Sequence, residues 1–278
     1  MREPFFTIIT ATYNAADTLP RLLDSLAGQT SRDFELIIQD GASTDDTVAI
    51  AESYRGKLPA LSLASEQDSG IYDAWNKALS RVRGEWVLFL GADDALIDKS
   101  SLSEASIAIH KQPEDVFFVA ADVVLCDQGA ELVTVRAKTQ CLGEKIQFEN
   151  PVIYSGLFQR RIILTGEPYD TTLKFLGDFD FLVRNWKQGR KFANLGFVVV
   201  SMNIGGATNS LRYLSRCRFE EARVIGRYFG WKKTIPRLTG IIKGFFPFVL
   251  VKIFGEKRAL TIYNWLRSVR RLPPALIK

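Results

Sequence analysis

Glu85-Trp86-Val87-Leu88-Phe89-Leu90-Gly91-Ala92-Asp93-Asp94 decides how the rest of the chain is read. The apolar run Trp86 to Leu90 stops abruptly at Gly91-Ala92 and two adjacent carboxylates. A short all-apolar run bounded by glycine marks a strand covered on both faces, as in the centre of a parallel sheet. In open α/β sheets ligands bind at the carboxyl ends of the strands, so Asp93 and Asp94 are expected at the mouth of a site. Neighbouring carboxylates repel unless a cation or basic group offsets them. Taken alone, the pair also reads as a cap, with Asp94 opening a following helix.

The chain upstream repeats the pattern. Phe5 to Ala11 predicts a strand ending in Thr12-Tyr13-Asn14. Asp17 is expected to cap a helix carrying Leu19, Leu22, Leu23 and Leu26, with Pro20 in its first turn. Phe34 to Gln39 predicts a second strand closed by Asp40-Gly41, and Ser43, Thr44 and Asp45 offer cap chemistry for a helix through Tyr54. Leu61 to Ala64 predicts a third strand running into Ser65-Glu66-Gln67-Asp68. A helix from Ser69 to Val82 follows, with Ile71, Trp75, Leu79 and Val82 on one face. Strand and helix thus alternate with short connections, which is the pattern of a doubly wound, mostly parallel α/β sheet.

Each predicted strand ends in polar or acidic residues: Thr12 and Asn14, Asp40, Asp68, then Asp93 and Asp94. Any one alone is an ordinary turn or cap residue. Together, at one edge of a parallel sheet, they make a pocket suited to a nucleotide, with acceptors for base and ribose and carboxylates for a phosphate-bridging divalent metal. The first strand leads into Thr12-Tyr13-Asn14-Ala15-Ala16 rather than a G-x-G-x-x-G turn, and no G-x-x-x-x-G-K-[ST] is present. Dinucleotide enzymes and P-loop nucleotidases therefore lose their main support.

Beyond Asp98 a helix to about His110 is expected. Val116 to Leu125 and Leu132 to Ala137 flank Asp127-Gln128-Gly129 and read as a β-hairpin, so the parallel half gives way to antiparallel strands. Asp178 and Asp180 introduce an apolar helix through Lys187, where capping and a dipole contact would account for them. Phe192 to Val200 predicts a strand leading into a polar, glycine-containing loop, 201–208, able to close over a ligand.

Composition bounds the class. Of 278 residues 47% are apolar and 24% charged, ordinary for a globular protein. Net charge is +5, but Leu211 to Lys278 holds sixteen Lys/Arg and three Asp/Glu, while the preceding part is net −8. That asymmetry points the tail at something anionic. Cys126, Cys141 and Cys217 have no metal-like spacing and fit a reducing compartment. A single histidine, His110, argues against His-based zinc sites and Ser-His-Asp catalysis. The N-terminus has no signal-peptide pattern, so a cytoplasmic location is expected. In the tail, Ile235 to Phe254 is apolar but interrupted by Arg237, Lys243, Lys252, Pro236 and Pro247, which disfavours a spanning helix. With Trp231, Phe245, Phe246, Phe248 and Trp265 the region suits an anionic membrane surface, or else helices packed on the domain with a solvated basic face. No nucleic-acid motif accompanies the charge.

Five motifs, in order, resemble family 2 glycosyltransferases of the GT-A fold, of the kind acting in bacterial cell-surface polysaccharide assembly. They are Thr10 to Asn14, Phe34 to Asp45, Glu66 to Lys77, Gly84 to Asp94 and Leu176 to Arg184. The resemblance implies a catalytic domain over 1–210, with a nucleotide-binding half (1–97) and an acceptor half (98–210), and a basic helical tail over 211–278. It implies that Ala11, Thr12, Tyr13, Asn14 and Asp40 hold the nucleobase side of a nucleotide-sugar, with Asp68, Gly70, Asn76, Lys77, Ala92 and Asp93 completing the donor site. Asp93 and Asp94 would occupy the D-x-D metal motif and bind Mg²⁺ or Mn²⁺. Asp178 would be the general base, Asp180 the lesser candidate. Gly91 stands where the family pattern has its first carboxylate. The implied reaction is inverting transfer of a sugar from a nucleotide-sugar donor, such as a UDP-sugar, to a saccharide or lipid-linked acceptor. Alternatives are transfer to a polyprenyl phosphate and a catalytically silent nucleotide-sugar-binding protein.

Overall fold

The structure, a computed structural model, describes residues 3–127, 130–139, 146, 152–204, 213–230, 232, 234, 250–253 and 255–269. The strands are β1 (Phe6–Thr12), β2 (Phe34–Asp40), β3 (Leu61–Ser65), β4 (Trp86–Phe89), β5 (Ala95–Leu96), β6 (Val116–Asp127), β7 (Ala130–Val135), β8 (Leu157–Arg160) and β9 (Lys191–Asn203). The helices are α1 (Leu19–Ala27), α2 (Thr47–Ser53), α3 (Ile71–Leu79), α4 (Ser101–His110), α5 (Arg161–Gly166), α6 (Gly177–Lys187), α7 (Leu214–Phe229) and α8 (Glu256–Val269). A 3₁₀ turn, Tyr154–Gly156, precedes β8.

Among the described residues the strands form one sheet, ordered β3-β2-β1-β4-β8-β6-β9-β5, with β7 paired to β6. β1 to β4 are mutually parallel, and β8 joins β4 and β6 antiparallel to both. Side chains alternate between the two faces of the sheet, and because both faces are covered β2 and β4 are buried throughout and β1 at every position but Ala11. Phe6, Ile8, Leu36, Ile38, Trp86 and Leu88 pack with α1 and α4, while Ile9, Ile37, Val87 and Phe89 pack with α3, α6 and α7. Helices on both faces of a mostly parallel sheet are the expected α/β architecture.

Several local expectations are corrected. Thr18, not the exposed Asp17, occupies the N-cap of α1, and no side chain caps it. Of the residues offered for α2, Asp45 does the work, its Oδ1 accepting from the Thr47 N–H at 3.0 Å. Asp94 opens no helix, because the chain enters β5 at Ala95 and α4 begins only at Ser101. α3 is shorter than predicted, and its first residue Ile71 is 43% exposed instead of lining the apolar face. β9 starts earlier and pairs parallel to β6, so the second half is mixed rather than purely antiparallel.

The basic C-terminal region begins as part of the core. Val224 and Ile225 of α7 are fully buried in the cluster that holds α3 and α6. Trp265 on α8 is exposed. Among the described residues no helix is long and apolar enough to cross a membrane. The hairpin turn at 128–129, the loop 205–208, Cys141, Trp231 and the stretch 235–249 lie outside the described residues.

Candidate active site

Parallel pairing in register brings the carboxyl ends of β1 and β2 side by side, with Thr12 opposite Asp40. Asp40 is fully buried and accepts four hydrogen bonds. Thr12 Oγ1 (2.8 Å) and Ser43 Oγ (2.5 Å) donate to Oδ1, while Ser43 N (2.8 Å) and Ser65 Oγ (2.6 Å) donate to Oδ2. Those hydrogen bonds hold its carboxyl below the usual carboxylate range even though burial acts in the opposite direction. A carboxylate has about four lone-pair positions, so all are engaged within the protein. Above it Tyr13 is 67% exposed. Asn14 adopts a left-handed φ of 48°, its side-chain oxygen accepting from the Thr44 N–H at 2.9 Å and its own N–H donating to Ser43 Oγ at 2.8 Å. The loops after β1 and β2 are thereby tied into one rim.

The turn after β4 is built around Gly91. Its N–H donates to Asp94 Oδ2 at 2.8 Å, and Ser155 Oγ donates to the same oxygen at 2.7 Å. Asp94 is buried, and the loss of solvation raises its pKa to about 7. Burial also raises Asp93, and the nearby Arg21 guanidinium opposes the shift. Arg21 donates to the Asp93 carbonyl (2.6 Å) and to Ser201 Oγ (2.6 Å), and Asn203 Nδ2 reaches the same carbonyl at 3.2 Å. A Cβ at Gly91 would lie 2.9 Å from Asp93 Oδ1 and 3.2 Å from Asp94 Oδ2. The missing first carboxylate of the motif thus leaves space that the other two occupy.

Among the described residues no three His, Cys, Asp or Glu side chains cluster as a metal cage. Mg²⁺ and Mn²⁺ take one or two protein carboxylates together with substrate phosphates, and Asp93 and Asp94 could supply such a pair. Of the two, Asp93 has the carboxylate to which no described side chain donates a hydrogen bond, so it is the one that could turn to an ion. Asp94 is latched to Gly91 and Ser155 and supports the turn.

Around the start of α3, Asp68 Oδ1 accepts from the N–H of Gly70 at 2.8 Å, and Gly70 sits at φ 128°. Lys77 Nζ donates to the Gln67 carbonyl at 2.6 Å, bracing the same loop. Asn76 has other work: its amide nitrogen donates to the Tyr169 carbonyl and its oxygen accepts from the Tyr169 N–H, both at 2.9 Å. It acts as a strut between α3 and the chain before α6.

Asp178 stands in the first turn of α6, where the helix dipole favours a negative charge. Its Oδ1 accepts from Tyr72 Oη at 3.0 Å and from the Phe179 N–H at 2.8 Å. Burial dominates and raises its pKa to about 6. Asp180, 1% exposed, is committed to Arg227 Nη1 at 2.7 Å, and Arg227 also holds Asp170 at 2.9 Å. Two carboxylates of one helical turn therefore differ: Asp178 meets neutral donors, and Asp180 meets a guanidinium.

Residue patterns alone missed Arg21, Tyr72, Ser155, Glu220 and Arg227. Tyr72 lay within the Glu66 to Lys77 motif, and Glu220 and Arg227 within the region from Leu211 singled out for its charge. The others touch the site through contacts that no local pattern encodes.

The family model described as "Glycosyl transferase family 2" matches residues 7–151. A PGL/p-HBAD biosynthesis glycosyltransferase of Mycobacterium tuberculosis is 33% identical over 216 residues, covering 76% of this chain and 82% of the relative. The poly(ribitol-phosphate) beta-N-acetylglucosaminyltransferase TarS of Staphylococcus aureus is 37% identical over 117 residues, 41% of this chain and 20% of TarS. In three dimensions the chain resembles S. aureus TarS 1–349 in complex with UDP-GlcNAc (TM-score 0.63, 22% identity, covering 96% of this chain and 83% of that one). It also resembles the mannosyltransferase PcManGT of Pyrobaculum calidifontis in complex with GDP-Man and Mn²⁺ (TM-score 0.64, 17% identity, covering 99% and 82%).

Proposed function

The chain belongs to glycosyl transferase family 2, and on that footing we propose that it is an inverting, metal-dependent enzyme moving a sugar from a UDP-sugar to a hydroxyl of a saccharide or lipid-linked acceptor in cell-surface polysaccharide synthesis. The observation that carries this reading is Asp178, a carboxylate with a pKa near 6 at the start of α6, tied by Tyr72 to the helix that follows Asp68. A base of that strength is matched to a hydroxyl proton near neutral pH.

The acceptor hydroxyl gives its proton to Asp178 as its oxygen attacks the anomeric carbon opposite the diphosphate. The bond from that carbon to the diphosphate oxygen breaks, and the nucleoside diphosphate leaves with the electron pair. Tyr72 orients the Asp178 carboxylate for this transfer. Asp93, steadied through its carbonyl by Arg21 and Asn203, would hold Mg²⁺ or Mn²⁺ with Asp94 as support. When bound, that ion offsets charge on the leaving diphosphate. The rim formed by Ala11 to Asn14 receives the nucleobase, with Tyr13 offering an exposed ring and the buried Asp40 fixing that rim from within through Thr12 and Ser43, and Asp68, Gly70, Lys77 and Ala92 border the rest of the donor.

The UDP-GlcNAc complex of TarS supports a uridine donor, the Mn²⁺ complex of PcManGT supports a divalent ion, and poly(ribitol-phosphate) as TarS's acceptor supports a surface polymer. The test is a panel of nucleotide sugars screened for metal-dependent release of nucleoside diphosphate, alongside Asp178→Asn. The reading requires turnover nearly abolished in that variant while UDP binding with Mn²⁺, measured by calorimetry, persists. Unchanged turnover removes Asp178 from the mechanism.

The basic region from residue 211 fits docking on an anionic membrane that presents a lipid-linked acceptor. Sedimentation with anionic liposomes tests this, and equal binding after charge-neutralising substitutions beyond α7 would rule it out.

A further inference from the structure

Leu176 occupies the N-cap of α6 without a side-chain cap bond, Asp178 Oδ1 takes the Phe179 N–H inside the first turn, and the amides of residues 174–176 lead into the helix from outside its hydrogen-bond ladder. Such groups need partners when buried. The partner comes from another helix. Glu220 of α7, 9% exposed, accepts from the Lys174 N–H with Oε1 (2.8 Å) and from the Phe175 and Leu176 N–H groups with Oε2 (2.9 and 3.0 Å). Three successive amides are thus held immediately before Gly177 and Asp178.

The same segment is fixed from the opposite side. A Cβ at Gly177 would lie 2.7 Å from the Tyr72 ring, so that ring packs directly against the α6 backbone. Two turns beyond Glu220 on α7, Arg227 holds Asp180 and Asp170, and Val224 and Ile225 between them are buried. The first turn of α6 has little freedom to move.

We propose that Glu220 is a positioning residue for sugar transfer, which by gripping the amides of residues 174–176 sets where the Asp178 carboxylate stands relative to the acceptor hydroxyl. The proposal rests on Asp178 being the base. It assigns a role to a helix beyond residue 151, where the family match ends. A misplacement of about 1 Å at a reacting group costs on the order of a hundredfold in rate, so a clamp on three backbone amides is worth having.

Electrostatics gives a second signature. Asp178 faces Tyr72 of α3, Tyr154 and Tyr169, and from α7 Cys217 and Glu220. Burial raises the pKa values of the three tyrosines and takes Cys217 to about 11, so these groups are neutral at pH 7. The carboxylate of Glu220 repels that of Asp178 and raises its pKa.

The experiment uses the full chain carrying Glu220→Gln or Glu220→Asp, with UDP and Mn²⁺ as the binding probe and turnover on the donor found by the nucleotide-sugar screen. Glu220→Gln removes the charge and one of two acceptor oxygens. Its kcat should fall roughly tenfold or more at unchanged UDP affinity, and the ¹³C-detected titration midpoint of Asp178 should move to lower pH. Glu220→Asp keeps the charge, so it should leave that midpoint in place and recover part of the rate. Loss of melting temperature, kcat and UDP affinity together, with the midpoint unmoved, would mean a merely structural cap and overturn the proposal, as would an unaltered kcat. Should Glu220→Gln not fold, Glu220→Asp decides alone: kcat reduced at unchanged UDP affinity upholds positioning, and a wild-type kcat defeats it. The Asp178 titration requires no turnover; an active Asp178→Asn would overturn the base assignment and the positioning role with it, whereas an inactive Asp178→Asn beside a wild-type kcat in Glu220→Asp overturns the positioning role alone.

Discussion

Tyr72 and Asp178 lie 106 residues apart in sequence and meet through a 3.0 Å hydrogen bond that joins α3 to α6. One helix follows the loop proposed to border the donor and the other carries the proposed base, so in that reading this contact ties the donor side to the base.

Tyr72→Phe keeps the ring, its packing on Gly177 and its contacts with Trp75 and Tyr169. Only the hydroxyl is lost, and hydrogen bonds to charged groups are worth about 1.5–3 kcal/mol. The Tyr72 bond lowers the Asp178 pKa against the larger effect of burial. The variant should therefore show kcat reduced roughly tenfold, an acidic limb moved to higher pH and unaltered UDP affinity.

Asp178 must be ionised to accept a proton, so kcat/KM should rise with pH through about 6 and level off above it. The same shift affects stability. A carboxyl whose folded pKa exceeds its unfolded value of about 4 weakens the fold progressively as pH rises between the two, and the deficit persists above about 6. Asp178→Asn should gain about 1 kcal/mol against urea at pH 8, allowing for partial solvation, and nothing at pH 4.

Gly91→Ala introduces a Cβ 2.9 Å from Asp93 Oδ1, and the atom that must yield ends a short, movable side chain. Stability should change by less than about 0.5 kcal/mol. Mn²⁺ affinity, read by calorimetry with UDP, should drop several-fold as Asp93 is displaced. An unaffected Mn²⁺ isotherm would argue against Asp93 as the ligand.

Arg227→Ala leaves Asp180, 1% exposed, without its guanidinium. Breaking a fully buried pair costs about 3–5 kcal/mol, and the partial exposure of Arg227 reduces this to about 2 kcal/mol. Adding Asp180→Asn should restore part of the loss. Urea denaturation of the two variants measures it.

The parallel half was legible because each strand is a mostly apolar run closed by polar or acidic residues, and α1 and α3 carry leucines or a tryptophan at helical spacing. Trp86 to Leu90 could be read from its sequence alone as a buried strand stopping at an acidic turn. β8 could not be placed: Leu157 to Arg160 carries no mark saying that it enters between β4 and β6. Arg21 reaches Ser201 across 180 residues, and Glu220 reaches Leu176 across 44. Such partners are chosen by the assembled sheet, not by neighbours in the chain. Asn76 shows the converse, since a residue inside a donor-site motif turns out to brace Tyr169.

The pairing of β4 also bears on how the chain emerges during synthesis. Trp86 pairs with Phe6 on one side and Arg160 on the other. The strand ending in the Asp93-Asp94 turn can dock on β1 early, but its other edge stays unpaired until some seventy further residues have been made. An open hydrophobic edge is a template for wrong partners. The same strand order that brings the Asp93-Asp94 turn and the proposed base into one sheet edge therefore leaves the growing chain open to wrong pairing midway through its translation.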